Sequence, residues 1–197
     1  MNIALTEIEL PVRLRLERPM TDQELLRFCE ANEGLRVERA ADGEILVMTP
    51  SGNRTGRKNA YVIQRLGAGR RWMAGATPSI RMGFTLPDGL MRMPDAAWVD
   101  AARWDALTEE EKDGFSPICP EFVIELRSKT DRLSDLEAKM EMWIANGAQL
   151  AWLIDPERNV VAIYRPGQAV ELLEQPSVMR GDGPVKGFEL GMARIWQ

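Results

Sequence analysis

The stretch PEFVIELRSK, from Pro120 to Lys129, decides the predicted fold. Its residues Phe122, Val123 and Ile124 are apolar on both faces of a strand, a pattern typical of a central strand covered on each side. Glu125 follows directly, at the end where a strand delivers side chains into a crevice. Because a carboxylate is expensive to bury without a cation or several donors, Glu125 is a candidate site residue.

A second stretch, RMPDAAWVD from Arg92 to Asp100, carries a comparable acid in Asp95. Pro94 precedes it, and the missing N–H of a proline suits the start of a strand. If the two stretches form neighbouring strands, Asp95 and Glu125 can converge on one point. Two convergent carboxylates make an oxygen-rich site, which suits Mg²⁺ or Mn²⁺ because these ions prefer oxygen ligands and keep several waters.

The composition excludes several classes of site. The 197 residues include no histidine, which excludes Ser-His-Asp and Cys-His catalysis as well as histidine zinc sites. The phosphate-loop, dinucleotide-binding and nucleophile-elbow patterns are also absent from the sequence. The net charge of −5 gives no global basic signature, so attraction to nucleic acid must come from local patches or metal ions.

Targeting signals are likewise absent from the sequence. No apolar stretch approaches the roughly 18 residues that a membrane span needs, and the N-terminal segment lacks an apolar signal core. Cys29 and Cys119 have no C-x-x-C spacing and are expected to be reduced and structural. We therefore expect a cytoplasmic protein with no membrane partner.

Periodicity and turn signals predict an α/β fold. Helices are predicted at Thr21–Asn32, Gly52–Trp72 and 131–147, with an acidic, partly helical segment at 103–117. Hairpin turns are predicted at 42–43, 87–89 and 155–159, and the residues after 164 are weakly patterned. No repeat or linker divides the chain, so we predict one domain over residues 1–197, with a central mixed β-sheet flanked by helices.

Two cations are candidates for work beside the acids. Arg127 lies two residues after Glu125, so on a strand it points to the same face, where it can orient a water or bind a phosphate. Lys139 lies at the edge of the apolar stripe of the predicted helix at 131–147. A lysine there can run its stem along apolar surface and direct its amine toward the sheet end.

The segment from 51 to 72 contains six cations and no acid. On a helix, Arg54, Lys58 and Arg65 share one stripe, by their spacings of four and seven. The stripe is either a solvated face or a contact with the DNA backbone. The opposite face is expected to allow close packing on the sheet or on a second copy of the chain, and it consists of Gly56, Ala60, Ile63 and Gly67.

These elements resemble the PD-(D/E)XK nuclease superfamily, and more closely the Uma2 family of restriction endonucleases. The resemblance rests on Pro94-Asp95, then Glu125-x-Arg127 at a strand end, then a helix carrying Lys139. It also covers GEILVMTPSGNRTGRKNAYV, GFTLPDGLMRMPDAAWVD, CPEFVIELRSKTDRLSDLEAKMEMWIANGAQLAWLIDPE and the closing GFELGMARIW. It implies a restriction-endonuclease-like fold, dependence on a divalent metal, and a homodimer.

The resemblance also implies roles for individual residues. Asp95 and Glu125 match the metal-binding acids, and Glu44 in GEILVM matches a third acidic position near the site. The usual E-x-K element reads Glu125-Leu126-Arg127 here. In such members the lysine role moves to the following helix, which indicates Lys139.

Three functions remain open from the sequence. The first is a metal-dependent DNA endonuclease that hydrolyses phosphodiester bonds. The second is a catalytically inactive nucleic-acid-binding relative, which the arginine at position 127 favours. The third is a structural or regulatory homodimer with ion-paired buried acids, which the net negative charge favours.

Overall fold

The structure is a computed structural model that describes residues 10–49, 52–68 and 83–197. The chain divides into two compact units. Unit 1 comprises Met1–Pro50, Met82–Met93 and Leu107–Ile118, and unit 2 comprises Ser51–Arg81, Pro94–Ala106 and Cys119–Gln197. The prediction that residues 1–197 form one domain stays a prediction.

Helices are interspersed among the strands as far as Asp155, and only strands follow among the elements named here. In chain order they are β1 (Val12–Leu14), α1 (Asp22–Ala31), β2 (Arg36–Arg39), β3 (Ile45–Met48), α2 (Asn53–Ala68), β4 (Phe84–Thr85), β5 (Met91–Arg92), β6 (Ala96–Trp98), α3 (Ala101–Asp105), α4 (Glu109–Asp113), β7 (Phe122–Leu126), α5 (Leu133–Ala145), β8 (Leu150–Asp155), β9 (Val160–Tyr164), β10 (Glu171–Glu174), β11 (Val178–Arg180) and β12 (Glu189–Gly191).

Unit 1 is built on an antiparallel sheet with strand order β1-β3-β2-β5-β4. Helix α1 begins with the predicted capping box. The Thr21 side chain accepts a hydrogen bond from the backbone N–H of Glu24, and the Glu24 carboxylate accepts one from the backbone N–H of Thr21. The predicted turn at Gly43 joins β2 to β3 with a positive φ of 86°, which a glycine adopts without strain. Leu25 and Phe28 of α1 pack with Val37 of β2 in the core of this unit.

Unit 2 is built on a mixed sheet with strand order β10-β9-β8-β7-β6. Strands β7 and β8 run parallel, so they need a crossover, and helix α5 supplies it. The other neighbouring pairs of this sheet are antiparallel. Every residue of β7 and β8 is buried, which confirms that PEFVIELRSK forms a central strand.

Helix α2 packs on the core of unit 2 through a face that shares only Ile63 with the predicted one. Val62, Ile63 and Leu66 are buried in the core with strand residues, whereas Ala60 and Gly67 are exposed. Large apolar side chains bury more area than small ones, so they decide which face contacts the sheet. Of the predicted face, Ile63 packs on the core, whereas Ala60 and Gly67 do not. The alternative, packing of this face on a second copy of the chain, stays a prediction.

Some predictions fall at the edges of the described chain. The predicted end of helix α2 at 69–72, with the cations Arg70 and Arg71, lies outside the described residues. Within the described residues, no helix is both long and apolar enough to cross a membrane.

Candidate active site

The two acid-bearing stretches are neighbouring strands of unit 2. Strands β6 and β7 pair antiparallel, with Ala96 opposite Ile124. One step further along this register places Asp95 opposite Glu125, and residues opposite each other in an antiparallel pair project to the same face. The sheet therefore brings both acids to the same end of β7.

Asp95 is half-buried, and both oxygens of its carboxylate accept hydrogen bonds. Its Oδ2 accepts a hydrogen bond from the backbone N–H of Leu126, at 2.8 Å. Its Oδ1 accepts one from the side-chain amide of Asn59, at 3.0 Å. Because one donor comes from β7 and the other from α2, the carboxylate orientation is fixed from two sides.

Glu125 is 1% exposed, and helix α5 supplies its partners. The ammonium of Lys139 lies 2.9 Å from Oε1, and the indole N–H of Trp143 donates to the same oxygen at 3.1 Å. Lys139 and Trp143 are four residues apart, so they lie on one face of the helix, above the end of β7. A charged partner and an indole donor together offset the cost of burying this carboxylate.

Lys139 occupies the position that its place in the sequence predicted. Its side chain is 13% exposed, with its stem on the buried side of α5 and its amine at the end of β7. An ammonium carries three N–H donors, so one such group can bind a carboxylate and a water at the same time. The catalytic role of Lys139 stays a prediction.

Arg127 is engaged with acidic and carbonyl oxygens of unit 2. Its Nη1 lies 2.8 Å from Oδ2 of Asp155, at the end of β8, and its Nε donates to the carbonyl of Asp131 at 3.3 Å. Asp155 is buried, and its Oδ1 accepts from the backbone N–H groups of Glu157 and Arg158. Arg127 thus connects the ends of the parallel strands β7 and β8 with the loop that leads to α5. Its predicted contact with DNA stays a prediction.

Glu44 lies in unit 1, at the start of β3. Its carboxylate accepts from Arg13 at 2.7 Å and from Arg15 at 2.9 Å. Hydrogen bonds from these two guanidinium groups lower the pKa of Glu44, so it is ionised over a wider range than an isolated glutamate. Its predicted role beside the metal stays a prediction.

The predicted basic stripe runs along α2. Arg54 and Arg65 are exposed and Lys58 is half-buried. Burial and the neighbouring charge of Arg54 lower the pKa of Lys58. Midway along the helix, the Arg194 guanidinium lies 5.3 Å from the centre of the Tyr61 ring. This contact brings a further cation, from the weakly patterned C-terminal segment, to this surface.

The donor chemistry fits a hard divalent cation with few protein ligands. In the described parts of the chain, no three His, Cys, Asp or Glu side chains are grouped closely enough to hold a metal ion. A metal site must then rest on Asp95 and Glu125, with neutral oxygens and waters completing the shell. This is an ordinary arrangement for Mg²⁺, which is usually bound by one or two carboxylates and keeps several waters.

Sequence reasoning missed three partners of the predicted residues. Asn59, Trp143 and Asp155 hold Asp95, Glu125 and Arg127 respectively. The helical period could have indicated Asn59. Val62 follows it by three residues and Leu66 by seven, so the three residues share one helix face, and the latter two are buried. Trp143 was assigned to the core, which is correct, but its indole N–H also reaches the site.

A family model identifies the relatives of this chain. The model for Uma2, described as "Putative restriction endonuclease", matches residues 22–193. The chain belongs to the Uma2 family. This confirms the predicted family and places the Uma2 chain in the predicted class of enzyme, the nucleases.

A solved structure confirms the predicted fold of this Uma2 chain. A crystal structure described as a "putative nuclease belonging to DUF820", from Anabaena variabilis ATCC 29413, is similar with a TM-score of 0.69 and 20% sequence identity. The similarity covers 90% of the Uma2 chain and 98% of the other chain, so the α/β, restriction-endonuclease-like fold is shown over most of the molecule. A comparison with curated proteins finds no match.

Proposed function

We propose that this Uma2 chain is a divalent-metal-dependent DNA endonuclease that hydrolyses phosphodiester bonds. The observation that carries the proposal is the pairing of Lys139 with Glu125 on the strand beside Asp95. Two acids and a lysine at one strand end form the set of groups that metal-dependent phosphodiester hydrolysis needs.

Each residue of the set has a defined task in the proposal. Asp95 and Glu125 would hold Mg²⁺ or Mn²⁺. When bound, such an ion lowers the pKa of a coordinated water and offsets charge on the phosphodiester. Lys139 donates to Glu125 and orients the attacking water through its ammonium group. Leu126 contributes its backbone N–H, which keeps the Asp95 carboxylate turned toward the strand end.

The DNA would be held by the basic stripe of Arg54, Lys58 and Arg65, since phosphate contacts supply most of the sequence-independent affinity of such proteins. Arg127 would assist from the end of β7. A homodimer, which the family resemblance implies, belongs to the same proposal, and sedimentation of the purified chain measures it directly.

Plasmid cleavage tests the proposed function. Supercoiled plasmid is incubated with wild-type protein in Mg²⁺, in Mn²⁺ and in EDTA, and the same assay is run on Asp95→Asn. Glu137→Gln, which removes an exposed acid of α5, is the matched control. We expect nicked or linear product from wild type and control only with metal, and none from Asp95→Asn. Equal cleavage by Asp95→Asn would place the active site elsewhere.

A catalytically inactive nucleic-acid-binding relative is the second candidate. It is favoured by one observation, namely that Lys139 and Arg127 form ion pairs with the buried Glu125 and Asp155. It predicts that wild-type protein shifts DNA in a binding assay yet leaves plasmid intact in every metal. A structural homodimer, the third reading, predicts neither binding nor cleavage.

A further inference from the structure

Asn59 has one buried polar atom that the rest of the described chain leaves unsatisfied. Its side-chain N–H donates to Oδ1 of Asp95 at 3.0 Å. Its own amide oxygen, Oδ1, is buried, and among the described residues no group donates a hydrogen bond to it. A buried acceptor without a donor is costly, so such an atom in a folded protein calls for an explanation.

The orientation of the amide is fixed by chemistry. An ionised carboxylate only accepts hydrogen bonds, so the Asn59 amide must turn its nitrogen toward Asp95. Turning the amide over would set two oxygens against each other. Asn59 also lies on the packed side of α2, where Val62 and Leu66 are buried in the core, so the helix cannot turn to bring its oxygen into solvent.

The unsatisfied oxygen lies close to the proposed metal ligands. Amide C=O and C–N bonds of about 1.23 and 1.33 Å put the oxygen about 2.2 Å from the nitrogen of the same group. The amide nitrogen is 3.0 Å from Oδ1 of Asp95. The two distances together keep Asn59 Oδ1 within about 5 Å of the Asp95 carboxylate.

We propose that Asn59 Oδ1 is the third protein oxygen of the divalent-metal site, beside Asp95 and Glu125. This inference rests on the proposed function and names a ligand that the two acids alone do not supply. Asparagine carbonyl oxygens bind hard cations, and a neutral oxygen adds a ligand without adding a further buried negative charge. A carboxylate oxygen carries two lone pairs, so an oxygen that accepts from Asn59 can also bind an ion.

A different role for Asn59 makes different predictions. If Asn59 acts only by orienting Asp95, its N–H is the group that matters and its oxygen is irrelevant. Asn59→Asp separates the two roles, because it keeps an oxygen at the site but removes the N–H donor. Asn59→Ala removes both.

Calorimetric titration of the full chain with Mn²⁺, without DNA, tests the proposal. Wild type, Asn59→Ala, Asn59→Asp and the control Gln64→Ala, an exposed amide of the same helix, are titrated under identical conditions. Thermal unfolding in EDTA is recorded for each, so that a variant that fails to fold is recognised. If Asn59→Ala does not fold, Asn59→Asp alone decides the question.

The Mn²⁺ affinity of the two Asn59 variants decides between the roles. Asn59→Ala should bind Mn²⁺ at least about tenfold more weakly than wild type, since even indirect partners of metal ligands are worth roughly 10- to 100-fold. Asn59→Asp should bind as tightly as wild type or more tightly, and Gln64→Ala should match wild type. Equal binding by wild type and Asn59→Ala, or a folded Asn59→Asp that binds as weakly as Asn59→Ala, would overturn the proposal while leaving the function intact. Absence of Mn²⁺ binding by wild type would overturn both.

Discussion

The ammonium of Lys139 on helix α5 lies 2.9 Å from the carboxylate of Glu125 on strand β7. Glu125 is 1% exposed, and this lysine and the indole N–H of Trp143 both stabilise its charge. The same ion pair places a cation beside the proposed metal ligands. One residue pair therefore links the stability of the fold to the chemistry proposed for the site.

Replacing Lys139 by alanine should separate cleavage from metal binding. Cleavage should fall by about 10²- to 10³-fold, the usual effect of losing one positioned donor. Mn²⁺ binding should persist, because the acids hold the ion. In EDTA the variant should lose about 3 kcal/mol of unfolding free energy, because a buried carboxylate is left without its cation. Added Mn²⁺ should restore part of that loss, which chemical denaturation with and without metal measures.

The control for this substitution is Lys186→Ala, which removes an exposed lysine of unit 2. It should change neither cleavage nor stability beyond the roughly 0.5 kcal/mol typical of surface changes. Cleavage by Lys139→Ala at the wild-type rate would remove the lysine from the mechanism.

Arg127 should prove important for stability whether or not it contacts DNA. Arg127→Ala leaves the buried Asp155 without its guanidinium partner and should cost about 3 kcal/mol, the scale for breaking a buried pair. Arg127→Lys keeps the charge and should lose less. It should also retain at least partial cleavage, because it restores the E-x-K element of the superfamily that the sequence resembles. Urea denaturation of both variants, beside the exposed Arg57→Ala as control, measures the difference. Equal stability of Arg127→Ala and wild type would show that the pair with Asp155 contributes nothing.

The sequence predicted the site well where local pattern determines structure. The apolar run before Glu125 and the proline before Asp95 indicated strand ends, and the helical period of α5 indicated where Lys139 would point. These features depend on residues within a few positions of one another. The pairing of β6 with β7 joins segments that are far apart in the sequence. It could still be predicted, because two apolar strands that each carry an acid have few other ways to bury their apolar residues and bring the acids together.

The sequence failed where the outcome depends on which distant groups meet. The hydrogen bond of Asn59 with Asp95 joins residues 36 positions apart, and no periodicity predicts such a pair. The C-terminal strand β10 was missed because its residues are mostly exposed and show no apolar alternation. The sequence predicted a packing face of α2 around Ile63, which is buried, but Val62 and Leu66 rather than Ala60 and Gly67 complete that face.

The basic stripe should contribute to DNA affinity by binding phosphates. The triple alanine variant of Arg54, Lys58 and Arg65 should bind duplex DNA more weakly, with a salt slope shallower by about 0.9 for each phosphate that is no longer bound. The weakening should be similar for unrelated sequences, because phosphates carry no base information. Fluorescence anisotropy at several salt concentrations, in Ca²⁺ to separate binding from cutting, measures this.

A charge-matched control is needed for the stripe, since removing any three cations weakens attraction to DNA. Alanine at the exposed Arg158, Arg180 and Lys186 changes the net charge equally but leaves α2 intact. Coincident salt slopes for wild type and the stripe variant would show that the stripe is solvated surface.

The most direct test of the account is whether Asp95 and Glu125 hold a divalent cation. Mn²⁺ is titrated into wild type, Asp95→Asn, Glu125→Gln and the control Glu137→Gln, and the electron paramagnetic resonance signal of the free ion reports how much is bound. The account predicts saturable binding by wild type and control, and loss of binding in both site variants. Wild-type binding by Asp95→Asn and Glu125→Gln would contradict it.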